Sequence, residues 1–345
     1  MGIYLKNGYL NIEKILSYGT TFNFIVGARG TGKTYSSLKH CVIDHQIPFI
    51  YMRRTQTQCD TINKPAFSVL KKINEDFGKN IQPVMVTNNS AGYYEMKQDE
   101  SGTEKPSGKV LGYTLALSTI SNARSFDMQD MDLLIYDEFI PEAHDRPIKN
   151  EAIAFFNGYE SIARNRELMG RDPLKVLALA NSNDLANPIF ISLNLVTIID
   201  RAQRSGQSVY IDRNRGIGIF LLGNSPISDQ KKDTALYKMV GESDFSAMAL
   251  GNDFAFDERT DEVNRKLKEY KPLVNVGEIS IYRHKSKDLL YVSQHRSGSA
   301  PAYGSTPTEL KRFQKHFAYL RLKHLYYKVE FERYICESLF MAYLK

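Results

Sequence analysis

The sequence predicts an α/β fold with a mostly parallel sheet, and three observations lead there. Four apolar runs, FNFIV (22–26), FIYM (49–52), LLIY (133–136) and KVLALA (175–180), lack the polar alternation of half-exposed strands, as strands buried on both faces should. The segments 34–44, 60–75 and 150–166 between them carry helical periodicity. Strands that alternate with helices are joined by crossovers, which favours parallel pairing. The chain has 345 residues, enough for two domains.

The first strand breaks into Gly27-Ala28-Arg29-Gly30-Thr31-Gly32-Lys33-Thr34, which fits G-x-x-x-x-G-K-[ST] with a buried strand before it and a helix after it. Glycines let successive backbone N–H groups turn toward one point, and the helix N-terminus adds positive potential there. Lys33 is expected on the terminal phosphates and Thr34 on Mg²⁺. The fold class is therefore a P-loop NTPase. The only Asn-Lys pair, Asn63-Lys64, runs into Pro65-Ala66 and not into a guanine-reading N-K-x-D, so ATP is the expected nucleotide.

Between 82 and 119 the pattern changes to three segments that read as antiparallel strands, with a polar loop, QDESGTEKPSG (98–108), before the last. The next parallel strand, MDLLIYDEF, ends on Asp137 and Glu138. Asp137 is expected to hold Mg²⁺ through water, and Glu138 to orient or deprotonate the attacking water. An acid pair at that strand end is the mark of the hydrolytic (ASCE) type. After KVLALA comes Asn181, either a γ-phosphate contact or a turn former. YESIARNREL carries Arg164 and Arg166, either solvated residues at a helix end or fingers reaching a neighbouring subunit.

Two strand-like runs, 208–214 and 216–224, close this region, and the pattern shifts near residue 226. The expected organisation is a P-loop domain over 1–225, a small linker over 226–262 and a basic C-terminal α+β domain over 263–345. Net charge is +6, but Arg265 to Lys345 hold sixteen Lys or Arg against seven Asp or Glu, whereas 1–264 hold 29 against 32. Such asymmetry suits a segment that meets phosphates, or is a solvated surface. Three scattered cysteines fit neither a disulfide framework nor a zinc site, and point to a reducing compartment. No apolar run nears the ~20 residues of a membrane helix, so a soluble, non-exported protein with no membrane partner is expected.

In order and spacing, NFIVGARGTGKTY, FIYMRR, IYDEFI, RNRE and the Asn187–Val196 stretch resemble the DNA-packaging (encapsidation) ATPases of phi29-like tailed phages. The resemblance covers roughly residues 10–200 and fades after about 225. It implies a ring-forming motor, a homopentamer, that works in the host cytoplasm and transiently at the portal vertex of a procapsid, pumping in double-stranded DNA. By position it implies that Lys33, Thr34, Asp137 and Glu138 keep the roles above. It makes Arg164 a finger given in trans and puts Arg124 at the subunit boundary. Arg29 reports on the nucleotide or on the neighbouring subunit, and one of Arg53 and Arg54 comes near nucleotide. The C-terminal domain is implied to be RNase H-like, but Tyr282 and Arg283 stand where a nuclease would carry acids, and Asp288 is the only Asp beyond 261. Cleavage is therefore not expected. Rival readings are another DNA-linked ATPase and a nucleotide-gated adaptor; the presence of Glu138 weighs against the adaptor.

Overall fold

A computed structural model describes residues 2–125, 127–142, 145–181, 185–223, 225–241 and 262–345, without the side chains of 122–125, 226, 228 and 229. Nine strands form the larger sheet: β1 (Phe22–Gly27), β2 (Phe49–Arg53), β3 (Ile81–Met85), β4 (Ala91–Gln98), β5 (Glu104–Ala116), β6 (Leu133–Asp137), β7 (Lys175–Ala180), β8 (Val209–Asp212) and β9 (Ile217–Leu222). Their order is β3-β4-β5-β2-β6-β7-β1-β9-β8. The six from β5 to β9 in that order are parallel; β3, β4 and β8 are antiparallel additions at the edges. The segment read as an insertion over 82–119 thus extends the same sheet. β5 begins at Glu104, inside the stretch expected to be loop, because pairing with β4 satisfies its backbone.

Both faces of β1, β2, β6, β7 and β9 are buried, as their apolar runs require. On one face Ile25, Phe49, Tyr51, Leu133, Ile135, Leu177, Leu179 and Phe220 pack with Ile12 and Ile15 of α1 (Ile12–Leu16), Leu38 of α2 (Lys33–Lys39) and, past α3 (Gln56–Ile62), Ile73 of α4 (Lys71–Phe77). On the other, Phe24 and Tyr136 meet Phe139, and Tyr136 stacks on Phe155 of α5 (Glu151–Ala163). Each such aliphatic or aromatic side chain contributes about 1.5–3 kcal/mol on full burial. The helix expected over 60–75 is split at Pro65, whose ring cannot continue a helix. The one expected over 34–44 is α-helical only to Lys39 and then widens into a π turn over His40–Asp44.

The chain divides into two compact units: Met1–Asn183 with Ser208–Asn252, and Asp184–Gln207 with Asp253–Lys345. The division does not follow the linear ranges drawn from the sequence. Residues 184–207, which include α6 (Pro188–Ser192) and α7 (Val196–Arg204), group with the C-terminal unit. Glu278 shows why: its carboxylate accepts from the Val196 and Thr197 amides at 3.2 and 2.9 Å, satisfying the N-terminus of α7. Of the linker expected over 226–262, α8 (Pro226–Lys231) and α9 (Ala235–Val240) are described, and 242–261 lie outside the described residues.

The second unit is α+β. Its sheet has the order β13-β10-β11-β12-β14, from β10 (Tyr270–Val276), β11 (Ile279–His284), β12 (Leu290–Ser293), β13 (Ala302–Tyr303) and β14 (Val329–Phe331). β11 and β12 form an antiparallel hairpin, with β10 pairing antiparallel on the other side of β11. Helices α10 (Pro307–Phe317), α11 (Tyr319–Leu325) and α12 (Tyr334–Leu344) supply Phe313, Leu320, Leu339 and Phe340 to its core.

Candidate nucleotide site

Strand order brings the candidate residues together. β7 lies between β1 and β6 and is parallel to both, with Val26 beside Ala180 and Asp137 beside Leu179. Three strand ends therefore reach one rim: the phosphate loop after β1, Asp137 and Glu138 at β6, and Asn181 after β7. They enclose a cavity of about 280 Å³ lined by Gly30, Gly32, Lys33, Thr34, Tyr35, Asp137, Glu138, Ala180 and Asn181.

The loop holds its shape through two left-handed glycines, Gly30 (φ 80°) and Gly32 (φ 71°). Neither could become alanine in place: a Cβ on Gly30 would come within 2.0 Å of Lys231 Nζ, and one on Gly32 within 2.8 Å of the Tyr9 ring. Lys33 opens α2 and folds back over the loop. Its ammonium donates to the carbonyls of Gly27 (2.9 Å) and Ala28 (2.8 Å) and to Asn181 Oδ1 (3.3 Å). Burial pushes its pKa down to about 8, opposed by Asp137 and reinforced by Lys231 and Arg29. Among the described residues Lys33 is the one cation that lines the cavity, facing Asp137 and Glu138, with Lys231 and Arg29 close behind it.

Across the cavity Asp137, 6% exposed, accepts from the Thr34 hydroxyl at 2.8 Å and the Tyr51 hydroxyl at 2.6 Å through the same Oδ2. A hydroxyl and a carboxylate side by side form an all-oxygen donor set, which suits Mg²⁺ and not a softer metal. Glu138 follows with a left-handed backbone (φ 55°), uncommon for a residue with a side chain and of the kind that collects at functional sites. Its carboxylate is held by Arg53, which also stands 3.5 Å from Asp137. Partial burial raises the Glu138 pKa above the ordinary carboxylate value, Arg53 restrains it, and Asp137 adds to it. The arrangement can place a triphosphate on the loop, a hard cation at Thr34 and Asp137, and a basic carboxylate over the outermost phosphate.

The other expected residues divide. Ala28, Thr31 and Arg29 lie in the loop; Arg29 pairs with Glu142, and its carbonyl accepts from Lys231. Arg54 points elsewhere: it is 1% exposed, with Nε and Nη2 on the two oxygens of Glu151 (2.7 and 3.0 Å) and Nη1 on Asp145 (3.2 Å). Arg166, read as a possible finger, is buried. Its guanidinium donates to the Met131 carbonyl at 2.6 Å and pairs with Asp132, so its own fold employs it. Arg164 ends α5 with a left-handed φ of 47°, is about one third exposed and stands 4.0 Å from Asp127. Arg124 sits in the helical stretch Leu117–Ser125, and its side chain lies outside the described ones.

Two contributors escape a reading of the sequence. Tyr51 is an apolar-looking member of FIYM, and only its hydroxyl's 2.6 Å bond to Asp137 reveals its role. Lys231 is 202 positions from Arg29, yet its Nζ lies 2.7 Å from the Arg29 carbonyl. Parallel strand pairing would have signalled the first; no local pattern signals the second.

Residues 5–301 match the family described as podovirus DNA encapsidation protein (Gp16). Among curated relatives, the DNA packaging protein of Bacillus phage B103 is 28% identical over 247 residues, 70% of this chain and 67% of that protein. The DNA packaging protein of Bacillus phage phi29 is 23% identical over 314 residues, 88% and 85% of the two chains. Two solved structures share the fold: the phi28 gp11 DNA packaging motor, with a TM-score of 0.63, 18% identity and 99% of each chain covered, and the bacteriophage phi29 viral genome packaging motor assembly, with 0.61, 19%, and 97% and 99%.

Proposed function

The chain belongs to the podovirus DNA encapsidation protein (Gp16) family, and on that premise we propose that it is the ATP-driven translocase that packages double-stranded phage DNA into a procapsid. The observation that carries this reading is the convergence of Lys33, Thr34, Asp137 and Glu138 on one cavity at the ends of parallel strands. Family membership weighs against another DNA-linked ATPase or a passive adaptor.

In the proposed mechanism the loop amides from Gly27 to Gly32 and the Lys33 ammonium hold the β- and γ-phosphates of ATP. Thr34 and Asp137 would hold Mg²⁺, which when bound neutralises charge developing on the phosphates. Glu138 orients the attacking water and takes its proton; a raised pKa makes it a better proton acceptor than an ordinary carboxylate. Asn181, already on Lys33, reports the state of the terminal phosphate. Arg164 acts in trans across the interfaces of a homopentameric ring, with Arg124 near the same boundary. The ring assembles from the host cytoplasm onto the portal vertex. The C-terminal unit is an RNase H-like domain without nuclease activity, which meets the DNA backbone or portal through its basic excess. Its lone late aspartate, Asp288, pairs with Lys323 and Lys328.

Subunit mixing tests the shared site. Arg164→Ala and Glu138→Gln proteins should each bind ATP and hydrolyse little with procapsids and duplex DNA present. Mixed, they should regain part of the activity, because an intact Glu138 can then meet an intact Arg164 from a neighbour. An arginine supplied by a partner contributes roughly 10³–10⁵ in rate. A mixture as inactive as its parts, in rings shown to be mixed, would place Arg164 within its own subunit.

A further inference from the structure

At the far end of the phosphate-loop helix, away from the cavity, three potential metal ligands converge. His40 and His45 are five apart, and on an α-helix they would point about 140° away from each other. The π turn over His40–Asp44 changes that. The His45 amide donates to the His40 carbonyl at 3.1 Å, and the wider turn brings the two imidazoles together, centroids 4.3 Å apart and planes tilted by 52°. Single π turns are rare and gather at functional sites. Glu13 reaches in from α1, its Oε1 3.0 Å from His45 Nε2. One ligand atom from each of the three residues lies within 4.8 Å of the others, and no other such group occurs among the described residues.

We propose that Glu13, His40 and His45 bind a divalent transition metal ion, Zn²⁺ foremost. Two imidazoles and one carboxylate are a known zinc donor set, with water in the fourth position. Ligands about 2.1 Å from a tetrahedral ion stand roughly 3.4 Å apart, so the 3.0 Å Glu13–His45 contact would open slightly while the wider separations, within 4.8 Å, would close by up to about 1.4 Å. Glu13 and His45 have exposed side chains free to make that adjustment, while His40 is buried and anchored. The nitrogen ligands disfavour Mg²⁺, which separates this site from the nucleotide cavity. A bound ion would tie α1 to the end of α2. The residues just before α1 already brace the loop, through Leu10 N on the Thr31 carbonyl at 3.1 Å.

The test is a Zn²⁺ titration of the untagged full chain in excess Mg²⁺ without nucleotide, followed by calorimetry, with Co²⁺ absorption as a reading of geometry. One ion should bind, a tetrahedral or five-coordinate Co²⁺ spectrum should appear, and the melting temperature should rise. Glu13→Gln and His45→Ala, both at exposed positions, should each weaken binding at least tenfold while melting normally without metal. His40→Ala is a poorer probe because His40 is buried. Equal Zn²⁺ affinity for wild type and the Glu13→Gln/His45→Ala double variant would overturn the site. None of these readings depends on ATP hydrolysis, so the proposed packaging function can stand or fall separately.

Discussion

The nucleotide rim and the C-terminal sheet are both β-sheets backed by helices, but they treat charge in opposite ways. The first unit buries ions against each other: Lys33, Asp137, Arg54 and Glu151 are all under 9% exposed. The C-terminal sheet buries neutral polar groups, with Ser280 donating to Asn275 at 2.7 Å and the Tyr282 hydroxyl to the His295 carbonyl at 2.5 Å. The contrast follows from topology. Parallel strands end together on one side, so residues distant in sequence collect at a shared rim, next to the helix N-terminus that can hold an anion. Hairpin-linked strands end alternately at opposite sides, and their polar groups serve the sheet's own backbone. A charged strand end thus means different things in the two units, and four measurements should break or sharpen that difference.

The largest effect should come from Glu138→Gln. It keeps size and the contact with Arg53 but removes the base, so turnover should fall by about 10²–10⁴ while ATP affinity is retained. Steady-state hydrolysis beside equilibrium binding separates the two, and a fully active variant would remove Glu138 from the chemistry.

Next is Arg54→Leu, a test of buried charge without catalysis. It strands Glu151, 3% exposed, without its bidentate partner. Loss of one member of a buried pair costs about 3–5 kcal/mol. Denaturant unfolding should show that loss, and replacing Glu151 together with Arg54 by apolar residues should recover much of it.

A smaller effect concerns pH. With burial holding free Lys33 at a pKa of about 8, the protonated form that attracts phosphate dominates below pH 8 and is lost above it. Phosphate binding raises that pKa, so ATP affinity should be flat between pH 7 and 7.5. It should then fall by up to about tenfold per unit once pH passes 8. Lys33→Met should bind weakly and without this dependence; an unchanged slope in the variant would assign the titration to another group.

The smallest should be Tyr282→Phe in the C-terminal sheet. It removes one hydroxyl bond from a buried ring, at a cost of about 1 kcal/mol by chemical denaturation. A much larger loss, or a large change in ATP turnover in a protein that still folds, would mean that Tyr282 does more than hold its own sheet.

What was legible in the sequence was local and periodic. The phosphate loop, the strand ending in Asp137-Glu138 and the buried character of β1, β2, β6 and β7 follow from side-chain order alone, because a strand buried on both faces must be apolar throughout and a loop around phosphate must be glycine-rich. The strands β3, β4 and β5 were legible as strands but not as members of the main sheet, since pairing partners are not encoded in any short window. Tertiary structure alone decided the rest. It set Arg166 on Asp132 and Arg54 on Glu151, where the sequence shows one arginine that could face a neighbour and one that could come near nucleotide. It drew Lys231 to the phosphate loop and α6 and α7 into the C-terminal unit. The π turn that brings His40 against His45 also belongs to the fold, because one extra residue per turn is a small local change whose consequence depends on what α1 places beside it. Periodicity reports which face of an element is apolar; which other element that face meets is settled only when the whole chain packs.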